Sequence, residues 1–479
     1  MPDFDVAVIG AGAAGLSVAA IGSGLGLRVA LIERGRMGGD CLNYGCVPSK
    51  ALLAAAHAAA EARRAGRLGI RLPEPEVDWA AVRAHVRGAI DRIAPNDSAA
   101  RYRGMGVEVV EATARFTAPD EIEAGGRRLT FRRAVIAAGS AAVVPEIPGL
   151  GAVPFLTNET LFDLEERPAH LLILGGGPIG LEMAQAHAWL GCRVTVIEAA
   201  PRVAVREDEE LADGVRAALA ADGVAFREGA KLLRLEPGTG ADRVVAVLDG
   251  GERIAGSHLL LAVGRAPRLE GLGLEAAGIE AGPRGIRTRP DLRSVSNRRV
   301  WAVGDIADPE GIGPRAFTHV AGQHAGVLVR AMLFRLPGTR VDYAALPRVT
   351  YTDPELAQVG LTEEEARAAG HTDLRIQRWP LSENDRAIAE GRAEGLVKLV
   401  ATPGGRLLGA GILAPRAGDM AGLYGLMIGR RLPLSALASM VLPYPTLSEG
   451  GKRAAGDFYA PRLLSPFTKR LIGLLKRLP

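Results

Sequence analysis

One pattern occurs twice in this chain and constrains its fold more than any other feature. A short apolar run leads into a G-x-G-x-x-G loop, then into a segment rich in small residues, and then into a second apolar run that ends on glutamate. The glycines and glutamates are Gly10, Gly12, Gly15 and Glu33 in the first copy, and Gly175, Gly177, Gly180 and Glu198 in the second. In each copy the glutamate follows the first glycine by 23 positions. The repeat predicts two βαβ units with parallel strands.

Each glycine of the pattern has a physical reason. The first makes a tight turn, the second lets the backbone approach a pyrophosphate, and the third lets helix and strand touch. The N-terminus of the helix adds positive potential for the phosphates. A lone glycine motif is weak evidence, but strand, glycines, helix, strand and terminal acid in register are specific for dinucleotide binding. Two copies therefore predict two bound dinucleotides.

The two glutamates bear on which nucleotides bind. A carboxylate at this strand end accepts hydrogen bonds from a ribose diol. A 2′-phosphate beside Glu198 would meet like charge, so the sequence favours NADH over NADPH at the second site. Arg202, four residues beyond Glu198, is evidence for NADPH instead, because its guanidinium could reach the 2′-phosphate. The plainer alternative is that both glutamates are only polar strand ends.

Residues 38–50 hold Cys41 and Cys46 just ahead of an Ala/Leu-rich helix. A helix starting near Pro48 would point the positive end of its dipole at Cys46 and favour a thiolate there. This arrangement favours redox chemistry. The alternatives are a chance pair of buried thiols or half of a metal site, although four soft ligands at metal spacing are not present. Cys192, the third cysteine, reads as a packed core thiol.

Composition sets broad limits. The 479 residues, 48% hydrophobic and 23% charged, fit a protein of two to four domains. Three cysteines favour a reducing compartment, and neither a basic leader nor a long apolar run is evident, so a cytoplasmic location is expected. The net charge of +4 becomes −1 without the five basic residues after Pro461, so nucleic-acid binding is not expected.

Further motifs complete a resemblance that runs from end to end. Besides the two glycine loops and the cysteine segment, they are residues 135–140, 261–267, 300–305 and 351–355. The chain resembles the FAD-dependent pyridine nucleotide-disulfide oxidoreductases, which include dihydrolipoamide dehydrogenase, glutathione reductase and mercuric reductase. The resemblance implies an α/β fold with two Rossmann-like domains, for FAD and NAD, and a C-terminal α+β dimerisation domain. It also implies FAD and NADH as cofactors and a homodimer whose subunits complete each other's active site.

The order of segments predicts the domain boundaries. The FAD domain would comprise residues 1–142 and 265–340, interrupted by an NAD(P) domain over 143–264. The dimerisation domain would span 345–461, where alternating apolar patterns predict an antiparallel sheet. Residues 462–479 would form a basic amphipathic tail.

The resemblance also assigns roles to residues. Cys41 and Cys46 would form the redox-active disulfide, with Cys46 facing the flavin and Cys41 facing the substrate. Lys50 would approach the flavin and pair with Glu182, and both lie in apolar helical runs where burial without a partner is costly. The FAD site would comprise Gly10, Gly12, Gly15, Glu33, Lys50, Ala114, Gly139, Asp305 and His319. The NAD site would comprise Gly175, Gly177, Gly180, Glu198 and Gly264.

The chain departs from the disulfide reductases of this family at one catalytic position. Tyr444 stands where those enzymes carry a proton-shuttling histidine, and Glu449 stands where its orienting acid would be. A tyrosine keeps its proton at neutral pH and is a poor base for thiol activation. The departure favours a mercuric reductase-like enzyme, with transient Hg(II) binding at Cys41 and Cys46 and no resident metal. The alternatives are a dihydrolipoamide dehydrogenase-like subunit and a membrane-associated diaphorase, quinone reductase or redox sensor.

The C-terminal tail carries its own signal. Apolar residues recur from Phe467 to Leu478 at helical spacing, while Lys469, Arg470, Lys476 and Arg477 occupy a different arc. Such a cationic amphipathic helix either lies on an anionic membrane surface, as a peripheral contact, or docks on the body of the dimer.

Overall fold

The first sheet of the protein is built around the first glycine loop. A computed structural model describes residues 1–476 and residue 478, so the predicted tail positions Arg477 and Pro479 lie outside the described residues. The first elements are β1 (Phe4–Ile9), α1 (Ala13–Gly24), β2 (Val29–Glu33), α2 (Gly39–Asn43), α3 (Cys46–Arg64), α4 (Trp79–Ile93), α5 (Ala99–Gly104), β3 (Glu108–Glu111), β4 (Ala114–Ala118), β5 (Glu121–Ala124), β6 (Arg127–Ile136) and β7 (Ser140–Ala142).

A second α/β unit follows around the second glycine loop. Its elements are α6 (Asn158–Leu161), β8 (His170–Leu174), α7 (Pro178–Trp189), β9 (Arg193–Glu198), α8 (Glu209–Ala221), β10 (Ala225–Glu228), β11 (Leu232–Pro237), β12 (Val244–Leu248), β13 (Arg253–Gly256) and β14 (His258–Leu261). Strands β10, β9, β8 and β14 form a parallel sheet in that order, and β11 to β13 form an antiparallel one.

The chain then returns to the first unit. The returning elements are β15 (Arg265–Pro267), β16 (Ala281–Gly282), β17 (Gly285–Thr288), β18 (Val300–Ala302), β19 (Ala307–Pro309) and α9 (Thr318–Leu328). Strand β18 pairs with β6 and completes the parallel order β3-β2-β1-β6-β18, which β5 and β4 extend on the other branch. The four residues Val6–Ile9 of β1 are all buried, as expected for a parallel strand covered on both faces.

The last part of the chain forms a separate antiparallel sheet, as its alternating pattern predicts. Its elements are β20 (Pro347–Thr350), β21 (Glu355–Gly360), α10 (Glu363–Ala368), β22 (Arg375–Pro380), α11 (Asp385–Ala389), β23 (Leu396–Ala401), β24 (Leu407–Ala414), α12 (Ala417–Gly429), α13 (Leu434–Ser439), α14 (Glu449–Leu463) and α15 (Pro466–Leu475). The strand order is β20-β21-β24-β23-β22. Within the described residues, every helix is too short or too polar to cross a bilayer.

The third glycine of each loop fixes how closely helix and strand approach. A Cβ on Gly15 would lie 1.9 Å from the carbonyl oxygen of Gly10, and one on Gly180 would lie 2.1 Å from that of Gly175. Both distances are far inside van der Waals contact with backbone that cannot swing away. A Cβ on Gly177, in contrast, would have no atom within 4 Å.

Gly180→Ala is therefore expected to destabilise the protein by about 1–3 kcal/mol, because overpacking against backbone forces helix α7 away from β8. Urea unfolding of the full-length protein measures this. Gly177→Ala is the matched control and should change the free energy of unfolding by less than about 0.5 kcal/mol. Equal effects of the two substitutions would contradict the steric explanation.

Candidate active site

A single large cavity gathers most of the residues that the sequence singles out. Its volume is about 1280 Å³, above the roughly 300–1,000 Å³ of common small-molecule sites. The predicted site residues on its lining are Gly10, Gly12, Glu33, Cys41, Cys46, Lys50, Ala114, Gly139, Glu182, Gly264, Asp305 and His319. Those that do not line it are Gly15, Gly175, Gly177, Gly180, Glu198, Tyr444 and Glu449.

The two glycine loops have the same local geometry. Gly10 and Gly175 have φ of +104° and +109°, which only glycine adopts readily. Glu33 accepts a hydrogen bond from the Ala11 amide at 2.6 Å, and Glu198 accepts one from the Gly176 amide at 2.6 Å. Each carboxylate is thus tied to its own glycine loop, and neither is merely a polar strand end.

The first loop also has room for the pyrophosphate that its sequence predicts. A Cβ on Gly12 would come no nearer than 3.9 Å to another residue, so the backbone at Gly12 is open on that side. Helix α1 begins directly after Gly12, and its free amide groups suit an anion. Gly139 and Asp305 line the same cavity. The residues present therefore fit an FAD, whose diphosphate would lie at the start of α1.

The cysteine pair is chemically asymmetric. Helix α3 begins at Cys46 itself, slightly earlier than the predicted start near Pro48, so Cys46 lies in the first turn. Its Sγ lies 3.3 Å from Thr318 Oγ1, at the N-terminus of α9. A hydrogen bond from the Cys41 thiol, helped by Thr318 and the charge of Lys50, lowers the pKa of Cys46 to about 6. The same Cys46 contact, with burial, raises the pKa of Cys41, so Cys46 is the thiolate of the reduced pair.

Lys50 and Glu182 form an ion pair beside the cysteines. Lys50 Nζ lies 2.7 Å from Glu182 Oε2, and the Glu182 side chain is only 6% exposed. The second oxygen, Oε1, accepts a hydrogen bond from the Tyr351 amide at 3.0 Å. Lys50 also lies over the Tyr351 ring, 4.3 Å from its centroid. These contacts satisfy the buried carboxylate and hold the ammonium group in the cavity.

A polar network that the sequence does not reveal joins the cysteine loop to Asp305. Ser140 donates a hydrogen bond of 2.6 Å to Asp305 and accepts one of 2.8 Å from Arg265. Arg265 also forms an ion pair of 3.1 Å with Asp40, which accepts a hydrogen bond from Asn158 at 3.1 Å. Burial raises the pKa of Asp305. The available signals were local: Asp40 precedes Cys41, and Arg265 follows a predicted site glycine.

His319 lies near the start of α9, on the cavity wall. Its Nε2 lies 3.0 Å from the carbonyl oxygen of Pro347, and burial lowers the pKa of its imidazole. A neutral imidazole bonded to a carbonyl oxygen donates a proton there and cannot take one from Cys41 through the same nitrogen.

Tyr444 and Glu449 lie outside the cavity of their own chain. The Tyr444 side chain is 67% exposed, and its hydroxyl donates a hydrogen bond of 2.7 Å to Asp385. That bond raises the pKa of Tyr444 further above its ordinary value. Glu449 is the first residue of α14. One chain alone therefore does not bring these two residues to the cysteine pair.

Comparison with known proteins agrees with this geometry. Residues 4–325 match the family model described as pyridine nucleotide-disulphide oxidoreductase, and residues 346–455 match the dimerisation domain of the same family. This chain belongs to that family. Its members are FAD-dependent oxidoreductases that use NAD(P)H, and the predicted fold class is confirmed. The dimerisation domain supports a homodimer.

Individual relatives cover almost the whole chain. A mercuric reductase of Streptomyces lividans is 38% identical over 469 residues, 95% of this chain and 96% of the relative. A dihydrolipoyl dehydrogenase of Thermus scotoductus is 35% identical over 95% of this chain and 97% of the relative. Among solved structures, the HOCl-induced flavoprotein disulfide reductase RclA of Escherichia coli superposes with a TM-score of 0.84 at 27% identity, covering 94% and 99%. A Cu(II) complex of that reductase is equally similar, at a TM-score of 0.84.

The charges around Cys46 predict opposite effects of two substitutions. Lys50 lowers the pKa of Cys46 and Asp40 raises it. In the reduced holoenzyme, the rate of alkylation by iodoacetamide is expected to rise with pH through a midpoint near the pKa of about 6. Lys50→Met should move this midpoint to higher pH, and Asp40→Asn should move it to lower pH.

Thr318→Val is a further check, since it removes the hydroxyl beside Sγ and should also raise the midpoint. Mass spectrometry of the alkylated peptides assigns each rate to one thiol. A midpoint that moved in the same direction for Lys50→Met and Asp40→Asn would show that charge does not control the thiolate.

Proposed function

We propose that this enzyme carries two electrons from NADH, through FAD, to the Cys41–Cys46 pair and on to a soft metal ion such as Hg(II). The observation that carries the proposal is a thiolate and a thiol in one cavity whose lining contains a single histidine, His319, already bonded to a carbonyl oxygen. Exchange with a disulfide substrate needs a base near Cys41. Binding and reducing a soft cation needs two sulfur ligands and a source of electrons.

The stoichiometry is simple. NADH and Hg(II) give NAD⁺, Hg(0) and one proton, so the two electrons of the hydride reduce the metal. Bound FAD would supply the means of taking a hydride from nicotinamide and passing its electrons to sulfur. Cys46 would be the sulfur nearer the flavin, because its thiolate lies beside Lys50 and the N-terminus of α9. Cys41 would meet the substrate. The lysine and the helix dipole would favour negative charge on this side of the cavity.

The names of two similar proteins support a metal ion as the substrate, and the name of a third supports a disulfide or dithiol. One is named a mercuric reductase, and a solved neighbour is a Cu(II) complex. Another relative is a dihydrolipoyl dehydrogenase, so a disulfide or dithiol substrate is the second candidate. Against it stands Tyr444, which would come from the partner subunit and whose raised pKa makes it a poor base.

The second nucleotide site supports NADH over NADPH. The Glu198 carboxylate accepts hydrogen bonds from the Gly176 amide in the glycine loop at 2.6 Å and from the Ala200 amide just after β9 at 2.7 Å. We infer that its negative charge would repel a 2′-phosphate on the bound nucleotide. The Arg202 side chain, which the sequence suggested could bind a 2′-phosphate, is hydrogen-bonded to its own backbone segment. Its guanidinium donates to the carbonyl oxygens of Val203, Ala204, Val205 and Glu207. It therefore caps its own turn, and we infer that it does not reach a phosphate.

Mercury reduction should depend on both cavity cysteines. Cys41→Ser and Cys46→Ser are each expected to lower NADH-dependent Hg(II) reduction roughly 100-fold or more, because one sulfur cannot hold the ion and return to a disulfide. NADH oxidation with Hg(II), lipoamide, glutathione disulfide or a soluble quinone as acceptor measures the preference. Oxidation with a one-electron dye acceptor should survive in both variants if FAD remains bound.

Cys192→Ser is the matched control. Cys192 is buried and burial raises its pKa to about 12, so its removal should leave turnover unchanged. The proposal fails if lipoamide is reduced faster than Hg(II), or if Hg(II) reduction is as fast in the cavity variants as in Cys192→Ser.

The nicotinamide preference has its own test. The kcat/KM for NADH should exceed that for NADPH roughly tenfold or more, because about 1.4 kcal/mol of like-charge repulsion at Glu198 gives a factor of ten. Glu198→Gln should reduce this ratio by improving NADPH. Arg202→Gln should leave the kcat/KM for NADPH within about twofold, since the guanidinium serves the turn. A large loss of NADPH activity in Arg202→Gln would show that the arginine binds the phosphate.

A further inference from the structure

The C-terminal helix α15 leaves its apolar side chains uncovered. Phe467 is 75% exposed, Ile472 is 56% exposed and Leu474 is 62% exposed. Leu471 and Leu475 are exposed as well, and no residue of α15 is buried. Most leucine and phenylalanine side chains elsewhere in the described chain are buried or half-buried. A helix that turns this much apolar surface to water lacks a covering partner in its own chain.

The helix is nevertheless well defined at its start. Ser465 caps it by accepting a hydrogen bond from the Thr468 amide at 3.2 Å, and Thr468 Oγ1 donates to the Arg462 carbonyl oxygen at 3.0 Å. The preceding helix α14 packs against strands β22 and β23 of the last sheet, with Phe458 buried in the core there. These bonds fix how α15 leaves α14, so its apolar side chains are presented on a fixed element and not on a loose end.

The charge of the tail identifies what could cover it. Residues 462–479 contain five basic residues and no acidic one. Over the described part, Lys469, Arg470 and Lys476 have no carboxylate within ion-pair distance. The apolar positions 467, 471, 474 and 475 fall on one arc of the helix and the basic positions 469 and 476 on the opposite side, with Arg470 at one edge of the apolar arc and Ile472 next to the basic side. An apolar arc on a helix that also carries these basic side chains complements a surface of lipid tails edged by phosphates.

We propose that α15 docks the enzyme on the surface of an anionic lipid bilayer, with its apolar arc in the interface and its basic residues against lipid phosphates. Ten residues of helix are far too short to span a bilayer, which needs about 20. The helix therefore lies in the plane of the interface. The active-site cavity does not include any residue of α15, so docking and catalysis are separable.

Co-sedimentation of the full-length holoenzyme with vesicles tests the proposal. Vesicles of phosphatidylcholine with about one quarter phosphatidylglycerol should bind the enzyme, and pure phosphatidylcholine should bind it at least tenfold more weakly. Two double variants separate the two arcs. Leu471→Gln with Leu474→Gln removes apolar surface without changing charge, and Lys469→Gln with Lys476→Gln removes charge without changing apolar surface. Each pair should weaken binding to anionic vesicles roughly tenfold or more.

Control variants carry one substitution of each chemical type on the second α/β unit. Leu233 and Lys231 are exposed there, so Leu233→Gln and Lys231→Gln should leave binding unchanged. NADH oxidation with a water-soluble acceptor should be equal in all variants, which shows that they fold and keeps this test independent of the proposed substrate.

Two results would overturn the proposal. One is equal binding to vesicles by the wild-type enzyme and the Leu471→Gln/Leu474→Gln variant. The other is absence of binding to anionic vesicles by the wild-type enzyme. If the Leu471→Gln/Leu474→Gln variant then also dissociates into monomers, as measured by sedimentation velocity, α15 belongs to the contact between subunits.

Discussion

The buried carboxylate of Glu182 is the point on which the assembly of this enzyme depends. One of its oxygens meets Lys50 on the cysteine helix α3, and the other accepts from the backbone amide of Tyr351, between strands β20 and β21 of the last sheet. Glu182 itself lies on α7, after the second glycine loop. A charge this deeply buried is tolerated only when its partners are in place. All three parts of the chain must therefore come together before the site exists.

The far end of α3 is held in the same way. Arg64 forms ion pairs of 2.5 Å with Asp222 and 3.1 Å with Asp353, one in each of the other two parts of the chain. Gln185 bridges the same two segments through its amide group. With both ends of α3 fixed, the position of Cys46 relative to the cavity is set by the scaffold and not by the loop between the cysteines.

The fold can be predicted from patterns between residues close in sequence. The contacts of the site that join distant segments of the chain cannot. The glycine loops and the alternating strands of the last sheet depend on neighbours in sequence, so their prediction from residues such as Gly10 and Gly180 was sound. Asp40 meets Asn158 and Arg265 across more than a hundred residues, and no spacing reveals such a contact. Arg202 is the reverse case: its charge suggested a phosphate site, but local backbone carbonyls already use its donors.

The chain divides its chemistry between distant segments. The pKa of Cys46 is set by Cys41, by Thr318 at the start of α9, and by the charges of Lys50 and Asp40, and these contacts are complete within one chain. The groups that would face Cys41 are not complete within one chain, because Tyr444 lies outside the cavity and its hydroxyl is bonded to Asp385 of α11. In a homodimer, Tyr444 of one subunit would have to reach the cavity of the other. If the proposed roles hold, the groups that set the thiolate lie within one chain, while the choice of acceptor would depend on the last quarter of the chain, where substitutions would alter the substrate without disturbing the thiolate.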